Sequence, residues 1–140
     1  MKNDLGAIYN YKESIGLALG ELGVDVYGTG YILGGGMRKQ APPYVQMYPA
    51  EDYIQVVNPT LGENDFSIAI RLNLSIIAGP EDKESSMRDL DDLLKKCLSV
   101  VRNLDDVEVT SFVAIDRDGG RLLAANIAFS NELTIEEGEL

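Results

Sequence analysis

The chain has 140 residues, 45% of them hydrophobic, a net charge of −11, no histidine and one cysteine. That size holds one domain with a single core, and the acidity argues against sequence-reading of nucleic acid and against docking on anionic membrane. Without histidine the commonest general base and the commonest metal ligand are both missing, and Cys97 alone can form neither an internal disulfide nor a thiolate metal site.

The N-terminus is polar and lacks the apolar core of a signal peptide. No apolar run approaches the roughly 20 residues of a membrane span. A reducing, intracellular setting, or a particle assembled there, is therefore expected. Asn3 or Asp4 can cap a first helix that runs to about Leu22. Leu5, Ile8, Ile15, Leu19 and Leu22 repeat at helical spacing, and Gly23 suits the residue after the helix end. Gly16 and Gly20 weaken this helix, which predicts close packing on a sheet at those positions.

Residues 24–27 form a short strand. Residues 28–43 hold five glycines and two prolines and form a loop, yet they also carry Tyr31, Ile32, Leu33 and Met37, which a solvated loop does not need. Residues 44–48 resume an extended segment, and the prolines before it suit a sheet edge. Residues 49–64 look like a second loop, with Pro49, Asn58-Pro59 and Gly62.

The clearest signal lies in residues 65–78. Phe66, Ile68, Ile70, Leu72, Leu74 and Ile76 share one parity, while Ser67, Ala69, Arg71, Asn73 and Ser75 share the other. A period of two over this length is a long strand with one apolar and one polar face. Gly79-Pro80 breaks it. Glu84, Ser85 or Ser86 then caps a helix of about 20 residues whose stripe is Met87, Leu90, Leu94, Cys97, Val101 and Leu104. This stripe is expected to cover the apolar face of the long strand. Residues 107–115 and 121–129 alternate again around Asp116-Arg117-Asp118-Gly119-Gly120, a hairpin turn. Residues 131–140 form an acidic tail that is expected to fray. The order predicts an α+β fold over residues 1–130, with an antiparallel sheet of four or five strands and both helices on one face.

Candidate chemistry is sparse. Gly28-Thr29-Gly30-Tyr31-Ile32-Leu33 lacks the third glycine and the following helix of a dinucleotide fingerprint. Asp116-Arg117-Asp118-Gly119 lacks the later carboxylates of a calcium loop. None of the serines has a histidine to activate it, and no acid stands in an apolar context that would raise its pKa. The expectation is a non-enzyme with no cofactor and no metal.

The segment from Pro42-Pro43-Tyr44-Val45 through the long strand, the Gly79-Pro80 break, the second helix and the final hairpin resembles a tail terminator (tail completion) protein of a long-tailed bacteriophage. The resemblance covers roughly residues 1–130 and rests on element order, size and acidity. It implies a subunit of a homohexameric ring in the virion, at the head–tail junction. Such a ring ends tail-tube polymerisation and meets the tail-tube protein on one side and the head connector on the other. DNA would pass through it without specific binding. Tyr31, Ile32, Leu33, Met37, Tyr44 and Met47 are the candidate interface residues. Ser67, Ala69, Arg71, Asn73 and Ser75 are the candidate lumen-facing residues, on a face that continues through Ala124, Asn126, Ala128 and Ser130. Arg71 should be neutralised by a carboxylate, within the chain or across a subunit boundary, because an unpaired ring of arginines would grip phosphate. The rival expectations are another head–tail connector, a tail-tube subunit, or a non-viral α+β module that binds a small ligand.

Overall fold

The structure is a computed structural model that describes residues 6–24, 26–27, 43–58, 65–115 and 118–136. Its elements in chain order are α1 (Ala7–Gly20), β1 (Val26–Tyr27), β2 (Tyr44–Asn58), β3 (Asp65–Pro80), α2 (Glu84–Val101), β4 (Asp105–Ile115) and β5 (Arg121–Glu136). The sheet order is β1-β2-β3-β5-β4. β2, β3, β5 and β4 are antiparallel neighbours, and β1 adds a two-residue parallel pairing, Val26 with Val45 and Tyr27 with Gln46. The fold is α+β, as the sequence predicts.

The period-two pattern of β3 sets the core. Ile68, Ile70, Leu72, Leu74 and Ile76 are all buried on the helix-bearing face, together with Val45, Met47, Ile127 and Phe129. From α2, Cys97 and Val101 are fully buried, and Leu90, Leu93, Leu94 and Leu98 pack around them. Met87 does not join them. It is 56% exposed, and its neighbour Ser86, 3% exposed, takes the sheet-facing position in that first turn. From α1, Ile15 and Leu19 enter the same core, with Ile8 beside them. Leu22 is exposed, because α1 has ended before it and the chain has turned. Lys12 lies over the Tyr53 ring, 5.2 Å from its centre, and ties α1 to β2.

The helix ends follow local chemistry. Gly23 has φ 81°; its N–H donates to the Gly20 carbonyl, and the Val24 N–H donates to the Leu19 carbonyl. That pair of bonds is a Schellman closure, which needs the left-handed conformation that glycine adopts freely. Gly6 occupies the cap position of α1, and Asn3 and Asp4 lie outside the described residues. Lys83 occupies the cap position of α2, so Glu84, Ser85 and Ser86 stand inside the first turn instead of capping it. Gly16 and Gly20 meet open space where a side chain would stand, so close packing does not explain them.

Two stretches read as loop or tail are strand. Residues 49–58 continue β2 through Pro49, with the register shifting between Pro49 and Ile54 and again between Val56 and Asn58. Such irregularities let a strand carry a proline, and they erase the simple alternation by which a strand is recognised. Residues 131–136 extend β5 against the start of β3, Asn131 opposite Ile70 and Glu136 opposite Asp65. The acidic composition of the tail masked its pairing. Residues 137–140 lie outside the described residues.

Candidate functional site

The side chains that carry hydrogen-bond chemistry converge on the sheet face away from the helices. Register places four rows across this face. Tyr44, Ile77, Ala124 and Phe112 form one, and Gln46, Ser75, Asn126 and Thr110 the next. Tyr48, Asn73, Ala128 and Glu108 follow, then Arg71 beside Ser130. The small residues thus run down the two central strands, β3 and β5. Longer side chains from β2 and β4 flank them.

Asn126 is the hub of this face. Its Oδ1 accepts from the Tyr48 hydroxyl at 3.1 Å and from the Ser75 hydroxyl at 3.2 Å. Its Nδ2 donates to Asn73 Oδ1 at 2.8 Å. The Tyr48 and Ser75 hydroxyls are 3.3 Å apart. Three strands are therefore linked side chain to side chain, in partly buried surroundings where such bonds are stronger than in water. Near the sheet's edge the Ser130 hydroxyl lies 3.2 Å from Asp106 Oδ2. Asp106 sits at a register shift with φ 54°, a conformation that Asp tolerates better than most residues.

The five candidate lumen residues fall on this face, but not all of them are displayed. Ser67 and Ser75 are buried, as is Ser130, while Ala69, Arg71 and Asn73 are half-buried. Beside Ser75 stands the Tyr48 hydroxyl, which donates to the same Asn126 amide oxygen. Arg71 has its acid within the chain, with Nη1 3.8 Å from Asp52 Oδ2. Both groups are substantially exposed, so the pair neutralises charge and adds little stability. Nothing in the alternation of β3 points to Tyr48 as a participant, because which β2 residue lies opposite Asn73 and diagonal to Ser75 depends on register, which a period of two does not fix.

The candidate interface residues divide. Tyr31, Ile32, Leu33 and Met37 lie outside the described residues. Tyr44 is half-buried against a small cluster of Ile77, Leu122 and Ala124, and burial raises its pKa. Met47 is 6% exposed and belongs to the chain's own core, because it shares the helix-facing side of β2 with Val45.

Two groups elsewhere have shifted acidity. Burial pushes the Cys97 thiol up to about 12, so at neutral pH it is a small apolar group. Burial also raises Tyr11, with Asn131 pulling the other way and Asp105 adding to the rise. Among the described residues, no group of three or more Cys, Asp or Glu side chains is placed to hold a metal ion. Among them too, no helix is long and apolar enough to cross a membrane. No family model matches the chain, and no curated protein matches its sequence.

Proposed function

We propose that this chain is a structural protein of a bacteriophage virion, a subunit of a ring at the head-proximal end of the tail tube. The observation that carries the reading is the open sheet face. Ser67, Ala69, Asn73, Ser75, Asn126, Ala128 and Ser130 make it small and polar along its centre, and the Asn126 network stiffens it. Solvated sheet faces ordinarily carry long charged side chains. A smooth, rigid, weakly interacting face suits the wall of a conduit.

Three further features support the reading. The net charge of −11 keeps a passing DNA from sticking. Arg71, the cation on the smooth face, has Asp52 within 4 Å. The order of helix, strands, long strand, helix and hairpin is the one implied by the tail-terminator resemblance. In the ring, the smooth face looks toward the axis and the helices lie outside. One side of the ring caps the last tail-tube ring, and the other receives the head connector.

The test is electron microscopy of the purified chain alone and mixed with tail tubes. Rings of about six subunits that cap tube ends and stop their growth are the expected result. Rings that stack into tubes by themselves would assign a tail-tube subunit instead. A monomer or dimer that binds a metabolite and ignores tubes would overturn the virion reading.

A further inference from the structure

Among the described residues the sheet has two uncovered apolar edges, and they match each other. β4 is the last strand on one side, and among the described residues nothing pairs with its outer edge. Val109, Val113 and Ile115 are exposed there, Ile115 by 61%. On the other side, among the described residues, β1 pairs with β2 at Val45 and Gln46 alone. Beyond the register shift, Ile54, Val56 and Val57 are exposed, Val56 by 59%. Neither Val109–Ile115 nor Ile54–Asn58 contains a charge or a proline. Natural sheet edges left to water are usually blunted by charges, prolines or bulges, and of these only the register shift between Val56 and Asn58 falls within the two stretches.

We infer that a second copy of this chain fills each edge, with β4 of one subunit pairing antiparallel to the outer half of β2 of the next. Register decides the faces. Val109 and Val113 lie opposite Ile127 and Leu123, and Ile54 and Val56 lie opposite Ile70 and Ile68. Both exposed rows therefore sit on the helix-bearing side. Continuing the sheet head to tail brings one row against the other on that side and removes both from water. Direction agrees as well. β2 and β4 run antiparallel within the subunit, so the next subunit's β4 extends the same alternation.

A symmetric β4–β4 joint would leave the β2 edge open, whereas the head-to-tail joint closes both. Such a heterologous contact makes a ring where the rotation closes and a filament where it does not. The inference rests on the ring reading for its closure, but not for the joint itself.

The test uses the full chain with Val113→Lys and Val56→Lys, each at an exposed position where the fold should be kept, as checked by circular dichroism. By sedimentation velocity, the unaltered chain should form multi-subunit assemblies. Each variant alone should sediment as a monomer. An equimolar mixture should form a one-to-one pair of twice the 15.3 kDa chain mass and stop there, because one variant keeps its β2 edge and the other its β4 edge. A mixture that stays monomeric, or either variant self-associating, overturns the joint. If the mixture pairs but the unaltered chain grows open filaments in micrographs, the joint stands and the ring reading fails. If both variants still make rings, the ring stands and the joint fails.

Discussion

At the residue scale, Gly79 and Cys97 owe their identity to what surrounds them. A Cβ on Gly79 would stand 2.5 Å from Ser86 Oγ and 3.4 Å from Ser86 Cβ. The glycine therefore lets the first turn of α2 sit against the end of β3. Gly79→Ala should cost about 1–3 kcal/mol through overpacking. Adding Ser86→Ala should return most of that loss, since the remaining 3.4 Å contact is ordinary. Urea unfolding of the two single variants and the double variant measures the coupling, and purely additive losses would contradict this account. Cys97 gives a pH dependence. Its folded pKa of about 12 lies above the ordinary value near 9, so the unfolded chain releases the proton first. The thiol's contribution is complete below about pH 9 and falls as pH rises toward 12. Tyr11 and Tyr44, also raised, add the same sign above about pH 10. The stability gap between the unaltered chain and Cys97→Ala should therefore narrow as pH rises past 9, as measured by urea midpoints. A gap that holds constant to pH 11 would mean that the thiol is not desolvated.

At the element scale, β3 and α2 are legible because each repeats its pattern over many residues. The alternation from Ile68 to Ile76 assigns the buried face correctly, and the stripe through Leu90, Leu94, Cys97 and Val101 assigns its cover. The outer half of β2 is not legible, because Pro49 and two register shifts break the alternation. The last residues of β5 are hidden by Glu132 and Glu136, charges accommodated there because the strand has run past its β4 pairing, which ends at Ser130. The Asn126 network could not be read at all, since the partners come from three strands whose register the sequence leaves open. The helix glycines mislead for a related reason. Glycine within a helix signals either close approach or mere tolerance, and the chain itself does not say which. With open space around Gly16 and Gly20, Gly16→Ala and Gly20→Ala should each stabilise the chain by about 0.4–1 kcal/mol. Thermal unfolding checks this, and a loss at either position would point to a partner that needs the bare backbone.

At the scale of the whole molecule, the two faces of the sheet have opposite tasks. One is covered by α1 and α2 and holds the core. The other is narrow, polar and cross-linked, with longer side chains from β2 and β4 along its sides. A subunit that joined its neighbours through those edges would turn the smooth faces of successive copies the same way, toward a common axis, with α2 outside. Cys97 makes this orientation measurable, because its burial leaves the chain without a reactive thiol at neutral pH. Ala128→Cys places a thiol on the smooth face, and Asp91→Cys places one on the exposed side of α2. In free subunits, both should react with small and with polymer-linked maleimides. In assembled rings, the thiol at position 128 should keep its reactivity toward the small reagent and lose most of it, about tenfold or more, toward the bulky one, as expected if a narrow channel excludes the polymer. The thiol at position 91 should react with both as before. Protection of position 91 with position 128 left open would put the helices at the axis and reverse the proposed orientation.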